Sequence, residues 1–339
     1  MTISSRLAYF GFIPQVTFNT PLAPTSFIRW LDGSMLEPEL KTEEIFEGDG
    51  GRDASLVFKS GQSWKGKLVC YPRPIEMGHI LKMIFGLTSD AISGAGPYTH
   101  TFTGKDSPGY YTIEFGQSDT ALAAAGKAAI YRVQDCIATS FEIEGESNKP
   151  LKLTVDFMGR KAVRQSTVAT VTLEAGEPFK YTNGLFKLDD GTGGAATDQS
   201  ADIAKFKLNF SNNVDGDIYT NEIAPKDFIW TQRKITSEYE LVFDSDKKFR
   251  QTFFGGMSGT TDSALLGYGE IDFKFWQGGD TGDADTLQLL VPKIAYQGKP
   301  ITPKLDGKAL RQEQVALAVK PASGSIISAV LINTRSTAY

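Results

Sequence analysis

The chain has few of the residues on which most enzyme chemistry depends. Its 339 residues include only two histidines, His79 and His100, and two cysteines, Cys70 and Cys136. The histidines have no cysteine or carboxylate at metal-ligand spacing, which predicts structural or exposed positions, and the cysteines lie in strand patterns typical of buried reduced thiols. No phosphate-binding loop, nucleophile elbow or zinc-protease motif occurs. The sequence therefore favours a protein that is not an enzyme.

Long hydrophobic runs and blocks of basic residues are also missing. No stretch approaches the ~18 apolar residues of a membrane span, and residues 1–7 lack a charged region followed by an apolar core. These absences predict a cytosolic protein with no membrane anchor. Lysine and arginine number 35 against 40 aspartate and glutamate, a formal net charge of −5. Because binding to a phosphate backbone depends on cations, this balance argues against a protein that grips nucleic acid.

Two groups of acidic residues allow site hypotheses that the sequence supports only weakly. Asp280, Asp283 and Asp285 lie in one Gly-rich loop and could supply oxygen ligands to calcium, although their spacing departs from the EF-hand loop. Glu142 and Glu144 could form a glycosidase pair, but their alternation with apolar residues is what a half-buried strand produces. A solvated loop and a strand face are the favoured interpretations, and no cofactor or metal is predicted.

What the chain does have is a layout of strands that occurs twice. In each half, alternating strands lead into one short amphipathic helix, after which strands resume. The first helix pattern covers residues 75–85 and stops at Gly86, and the second covers residues 249–255. The segments 133–138 and 291–296 then resemble each other loosely. A repeated β unit with no visible chemistry predicts assembly rather than catalysis.

The length and the repeat together predict two domains. Domains usually hold ~100 to 200 residues, and strand alternation weakens over residues 159–178, which places the boundary between domains 1–165 and 166–339. The predicted fold is mainly β, with two tandem antiparallel β-barrel or sandwich domains, each with one short flanking α-helix. The strand pattern over residues 326–333 predicts a C-terminal strand or arm that docks on something.

An acidic segment between two predicted strands is the candidate interaction site. The strands over residues 27–31 and 55–59 enclose residues 37–52, which carry too few apolar side chains to form a core face. This pattern predicts a long hairpin arm, about residues 34–55, that contacts a neighbouring subunit or ring. Ile45 and Phe46 are its predicted apolar anchors. The candidate contact residues are Glu37, Glu43, Glu44, Ile45, Phe46, Glu47, Asp49 and Arg52.

With its arm, its short helices and its long hairpins, the sequence resembles the major tail tube protein of long non-contractile-tailed bacteriophages. The version that it resembles has two tandem tube domains in each chain. The resemblance is one of strand and helix pattern, and it covers nearly the full length. It rests on residues 66–86, 98–102 and 133–160 of the first half and on residues 205–213, 235–255 and 287–294 of the second.

The resemblance implies a structural virion protein of the phage tail, assembled in the host cytoplasm. Its rings would stack into a hollow tube, the conduit for genome ejection, and two domains per chain imply a homotrimer as a pseudo-hexameric ring. The implied partners are other copies of the chain, the tape-measure protein, and the tail terminator and distal tail proteins. DNA would pass through the lumen without specific binding, and the negative net charge predicts an acidic channel that repels it.

Sheet edges give a physical reason for such assembly. A curved antiparallel sheet exposes unpaired edge strands, and closure into a ring pairs these edges between subunits. Two alternatives remain open at the level of sequence. One is a ring-forming tail-completion or baseplate hub protein built from the same unit. The other, from a different class, is a carbohydrate-binding β protein, because the strands are rich in aromatic residues.

Overall fold

The protein is mainly β, and its strand ladders are antiparallel throughout the described residues. Within these residues the sheets do not close into a barrel, and the architecture is consistent with a β-sandwich. The mainly β prediction is therefore confirmed in its sandwich form. The computed structural model describes residues 8–47, 53–92, 95–117, 119, 123–126, 128–189, 196–242, 250, 253–256, 258–264, 266–277, 285–297 and 310–339.

Among its described residues, the first half of the chain contains ten strands and one helix. Its strands alternate between a buried and a polar face, as in the hairpin where Leu153, Val155 and Phe157 are buried and their neighbours are not. The elements are β1 Ala8–Gln15, β2 Ser26–Ile28, β3 Met35–Ile45, β4 Leu56–Cys70, α1 Glu76–Phe85, β5 Leu87–Ala91, β6 Tyr98–Thr103, β7 Tyr110–Gln117, β8 Ile130–Glu146, β9 Lys152–Gly159 and β10 Lys161–Arg164.

The part of the second half that the structure describes contains ten further strands and a short 3-10 turn. The turn, Tyr181–Asn183, leads into the first of these strands. The strands are β11 Gly184–Leu188, β12 Thr197–Asp198, β13 Ile203–Ser211, β14 Val214–Asp215, β15 Ile229–Trp230, β16 Lys234–Val242, β17 Tyr268–Trp276, β18 Thr286–Tyr296, β19 Arg311–Ala318 and β20 Ser328–Asn333.

Helix α1 forms where the sequence predicts it. Its apolar side chains, including Ile80 and Ile84, are buried, and the chain leaves the helix at Gly86 with φ of 83°. The amino end accepts an anion: a carboxylate oxygen of Glu174 lies 3.0 Å from the amide nitrogen of Ile75 and 2.9 Å from that of Glu76. A carboxylate at this position satisfies amides that have no partner within the helix.

The second predicted helix falls largely outside the described residues. Phe249 and Thr252 are not described, whereas Arg250 and Phe253 have helical conformation. The amide of Phe254 donates to the carbonyl of Arg250 at 2.7 Å, which is the spacing of an α-helical hydrogen bond. Of the described positions in this pattern, Arg250 and Phe253 are thus helical, and Phe254 and Gly255 form a bend.

The ladder between β8 and β13 joins the two halves into one sheet. Strand β8 pairs with β13, with Ser140 opposite Ser211 and Glu146 opposite Lys205. The sheet runs in the order β3-β4-β9-β8-β13-β16-β19-β18. A second ladder, between β20 and β6, also links the halves. One hydrophobic core consequently extends across both, with residues from each half in the same cluster.

The order of ladders in the first half recurs in the second. The irregularity between Tyr111 and Ile113, opposite β8, has a counterpart between Gly269 and Ile271, opposite β18. The predicted strand layout thus occurs twice, while the division into two domains stays a prediction. The corresponding ladders are β1–β2 and β11–β12, β1–β7 and β11–β17, β3–β4 and β13–β16, β4–β9 and β16–β19, β7–β8 and β17–β18, β8–β9 and β18–β19, and β8–β10 and β18–β20.

Candidate assembly surface

The acidic segment singled out in the sequence is the end of a long β-hairpin. Strands β3 and β4 pair from Met35 opposite Lys67 out to Ile45 opposite Leu56. The inner part of β4, from Trp64 to Cys70, also pairs with β9. The outer part of the hairpin has no second ladder among the described residues, so it depends on its own pairing. We call residues 42–47 and 53–58 the arm tip.

Six of the eight predicted contact residues lie on this hairpin. Glu37, Glu43 and Glu44 are exposed on β3, where Glu43 stands opposite Phe58 and Glu44 opposite Val57. Ile45 ends the strand and is half-buried, and the exposed Phe46 and Glu47 follow it. Asp49 and Arg52 lie outside the described residues. Five of these residues, Glu43 to Glu47, belong to the arm tip, whereas Glu37 lies nearer the base of the hairpin, opposite Lys65. Their role as contacts stays a prediction.

The arm tip exposes several large apolar side chains. Phe46 is 66% exposed, Leu56 54% and Val57 56%, and Phe58 and Leu40 are also exposed. Because Leu56, Val57 and Phe58 are consecutive in a strand, both faces of the hairpin lie in solvent. Clustered exposed apolar surface marks a site that another molecule covers. The exposure of Leu56, Val57 and Phe58 could not be predicted from the sequence, where alternation indicates only a return strand.

Strand β3 is also an open sheet edge. It pairs with β4 along its whole length, and no other ladder involves it among the described residues. Such an edge presents unpaired amide and carbonyl groups along Met35–Ile45, which are a template for a further strand. At the corresponding position in the second half, the edge of β13 is occupied by β8.

The segment 212–233 of the second half corresponds in the ladder order to the arm of the first half. It connects β13 to β16 as residues 40–62 connect β3 to β4, since the pair Ser211–Lys234 matches the pair Glu39–Ser63. It includes the short ladder β14–β15. We call residues 212–233 the second arm. Unlike the arm tip, the second arm packs against the other half of its own chain.

Acidic side chains of the second arm bind basic and tyrosine side chains of the first half. Glu222 Oε2 lies 2.7 Å from Lys161 Nζ and 3.1 Å from Nη2 of Arg160, which is only 6% exposed. Tyr110 donates its hydroxyl to Asp227 Oδ1 at 2.7 Å. Burial, and then that hydrogen bond and the charge of Asp227, raise the pKa of Tyr110. The hydroxyl therefore stays protonated and remains a donor.

The second arm also contacts the base of the first arm. Lys41 Nζ lies 2.7 Å from Asp217 Oδ1 and 5.0 Å from the ring centroid of Tyr219. The amide of Gln62 donates to the carbonyl of Ile223 at 2.6 Å. The docking of this segment could not be predicted from the sequence, because its partners are far away in the chain, for example 62 residues for Arg160 and Glu222 and 176 for Lys41 and Asp217.

The polar face of the sheet that joins the halves carries charges of both signs. Glu39 and Lys65 are 2.6 Å apart, Glu142 and Lys207 2.8 Å. A groove along this face is lined by the polar side chains of Lys67, Ser140, Glu142, Lys152, Thr154, Asp156, Asn209, Ser211, Lys234 and Thr236. This face is thus mixed in charge, with nine acidic and seven basic side chains, and the acidic channel stays a prediction. The charged residues of this face are Glu37, Glu39, Glu142, Glu144, Glu146, Asp156, Glu238, Glu240 and Glu313 with Lys65, Lys67, Lys152, Lys205, Lys207, Lys234 and Arg311.

The histidines and cysteines are packed in the interior. Burial, with the charges of Arg335 and Lys82, lowers the pKa of His79 to about 3, so this ring is neutral at physiological pH. His100 Nδ1 lies 2.6 Å from an oxygen of Asp90. Cys70 and Cys136 are both buried and free, and burial raises the pKa of each thiol.

The described residues offer no metal centre. No group of three or more His, Cys, Asp or Glu side chains in this part of the chain is arranged to hold a metal ion. Asp280 and Asp283 of the calcium hypothesis lie outside the described residues, and burial raises the pKa of Asp285. Glu142 and Glu144, the other acidic pair, are bound to Lys207 and Lys152. No helix in the described ranges is long and apolar enough to span a membrane.

Comparison with known proteins agrees with an assembling β protein. The family model described as phage tail tube protein matches residues 5–307, which is most of the chain. Comparison with curated proteins finds no match. The matched range includes the arm, helix α1, the ladder between the halves and strands β11 to β18. The chain therefore belongs to the phage tail tube protein family.

Proposed function

We propose that copies of this chain join edge to edge into rings of three, and that the rings stack into the hollow tube of a phage tail. The observation that carries this proposal is the ladder between β8 and β13, which completes an open sheet edge with a strand from the other half. One edge in each chain, that of β3, still lacks such a partner among the described residues.

The recurring ladders indicate how the next copy binds. In the ladder order, β13 corresponds to β3 and β8 corresponds to β18. Within the chain, β8 pairs with the edge of β13. By the same relation, the edge of β3 pairs with the β18 side of another copy. The contact is heterologous, and it gives a ring when its rotation closes. Two equivalent units in each chain make six units in a ring of three chains.

The polar face of the sheet that joins the halves then lines the channel. Its interspersed acidic and basic side chains neutralise one another locally, as in the pair of Glu142 and Lys207. A surface of this kind offers no continuous basic track for the phosphate backbone, so DNA passes without specific binding. The protein acts as a structural part of the virion, assembled in the host cytoplasm. It meets the tape-measure protein inside the tube and the terminator and distal tail proteins at the ends.

Negative-stain electron microscopy of the concentrated, purified protein tests this function. We expect hollow cylinders with a regular axial repeat, because the contacts between rings do not close on themselves. Single rings that never stack would contradict the tube and favour a hub or completion protein. A monomer at every concentration, together with absence of the chain from purified virions by mass spectrometry, would reject assembly altogether.

A further inference from the structure

The matching ladders relate surface positions in the two halves. Tyr111 and Gly269 begin the same register irregularity, so the preceding residues, Tyr110 and Tyr268, correspond. In the same way, Met158 opposite Ile137 matches Leu317 opposite Ala295. Lys161 lies two residues beyond the end of β9 and Lys320 two residues beyond the end of β19, so the two lysines follow matching strands at the same distance. The corresponding pairs are therefore Tyr110 with Tyr268 and Lys161 with Lys320.

In the first half, these two positions hold the second arm. Tyr110 donates to Asp227, and Lys161 pairs with Glu222, each at 2.7 Å. Their counterparts keep the residue types and are solvent-accessible: Tyr268 is 44% exposed, and Lys320 is exposed. Lys293 adds a further cation, with its Nζ 4.2 Å from the ring centroid of Tyr268. We call Tyr268, Lys293 and Lys320 the basic platform.

The arm tip has the charge and the apolar surface that fit this platform. Its described residues include Glu43, Glu44, Glu47 and Asp53 and no lysine or arginine. The docked second arm buries its own aromatic anchor, since Phe228 is 2% exposed, whereas Phe46 on the arm tip is 66% exposed. The arm tip is thus an acidic, apolar segment without the cover that its counterpart has.

We propose that the arm tip of one copy docks on the basic platform of the adjacent copy in the same ring. The inference rests on the proposed ring assembly and names the surface that receives the arm. The docked second arm is the template, because it lies on the half whose strand β8 occupies the edge of β13. In the same way, the arm tip lies on the second half of the adjacent copy, whose β18 side pairs with the edge of β3. Each copy gives one arm and receives one, so three such contacts join the three copies of the proposed ring.

Cysteine cross-linking in the assembled tube tests this contact. Cys70 and Cys136 are buried, so a short bis-maleimide reacts with introduced cysteines. The test variant carries Glu44→Cys with Lys320→Cys. The matched control carries Glu44→Cys with Lys149→Cys, since Lys149 is exposed on the turn between β8 and β9. On a denaturing gel we expect covalent dimers and trimers for the test variant and only monomer for the control.

The size of the linked product separates the possible failures. A ladder that continues past the trimer would show that the arm reaches another ring and would overturn the assignment to the same ring. If tubes form normally but the control with Lys149→Cys cross-links, or neither variant does, docking on the basic platform is contradicted. The proposed function is not affected by that result. If the unmodified chain forms neither rings nor tubes, the proposed function fails, and the inference fails with it.

Charge exchange provides a second measurement. Lys320→Glu places like charges at the docking surface, and we expect the protein concentration needed for tube formation, measured by sedimentation, to rise at least about tenfold. Adding Glu44→Lys to this variant is expected to recover most of the loss. A Lys320→Glu protein that polymerises at the unmodified concentration would overturn the contact.

Discussion

Glu142 of β8 and Lys207 of β13 form an ion pair across the ladder that joins the two halves, with 2.8 Å between Oε2 and Nζ. On the opposite face of the same ladder, Phe141 stands opposite Phe210, and both rings are buried. One face of the junction is thus a packed core and the other a polar surface. The halves are held together mainly by the core face, because ion pairs near the surface contribute little.

The ion pair itself is expected to make a small contribution to stability. Lys207→Glu replaces the pair with two like charges and should lower the free energy of unfolding by about 1 kcal/mol in urea denaturation. Adding Glu142→Lys exchanges the charges and should restore most of that loss. If the double variant is as unstable as the single one, the effect comes from the backbone ladder and not from the charges.

The core face of the junction is expected to contribute much more. Phe210 meets the ring of Phe85 on helix α1 with centroids 4.8 Å apart and planes at 86°. Phe210→Ala should lower the free energy of unfolding by about 3 to 5 kcal/mol, because it leaves a cavity between β13 and the helix. Phe46→Ala on the arm tip is the matched control, expected to keep the unfolding midpoint and to impair tube formation. If Phe46→Ala lowered the free energy of unfolding as much as Phe210→Ala does, that result would contradict the exposure of the arm tip to solvent.

The strand alternation at this junction could be predicted from the sequence. The alternation of β8 and β9, and the helix that stops at Gly86, follow from local patterns, because a half-buried strand and an amphipathic helix record their own burial. The acidic composition of residues 37–52 likewise predicted a hairpin that forms no core. These features need only neighbours within a few residues.

The partners of polar side chains could not be predicted in the same way. The docking of Glu222 on Arg160 and Lys161 depends on residues about 60 positions apart that the ladders bring together. The mixture of charges on the polar face could not be predicted either. Net charge is a sum over the whole surface, whereas the strands β8 and β13 place Glu142 beside Lys207. The loose similarity of residues 133–138 and 291–296 was the sequence signal that matches the two halves residue by residue.

A pH effect on stability is expected from Glu76, at the start of helix α1. Burial, with the nearby charge of Glu174, raises its pKa to about 7 from an ordinary value of 4.5. The folded state therefore holds a proton that the unfolded state loses between these two values. The stabilisation is complete below pH 4.5 and is lost as the pH rises to about 7, on the order of 3 kcal/mol.

Glu76→Gln should remove this dependence. The amide cannot ionise, and its oxygen can still accept the hydrogen bond that the amide of Glu174 donates to Glu76 Oε1. In denaturation curves at pH 4 and pH 8, we expect the variant to match the unmodified protein at pH 4 and to be the more stable at pH 8. Parallel pH profiles for the two proteins would show that Glu76 is ionised in the folded state.

Gly78 is expected to be intolerant of a side chain because of Tyr339. A Cβ atom at Gly78 would lie 2.0 Å from the tyrosine ring, which packs against His79 and His100 and donates its hydroxyl to the carbonyl of Ile75. Gly78→Ala should lower the free energy of unfolding by about 1 to 3 kcal/mol, although alanine favours helix. In a Tyr339→Ala background the same change should become neutral or stabilising, as measured by a double-mutant cycle. An unchanged penalty there would place the clash elsewhere.

The pairing of β3 with a second copy is tested most directly by a cryo-electron microscopy map of the assembled tube. We expect main-chain density that continues from the edge of Met35–Ile45 into a strand on the β18 side of the adjacent chain, with six sheet units around the channel. A map in which β3 faces solvent, and the copies touch only through side chains, would contradict the account.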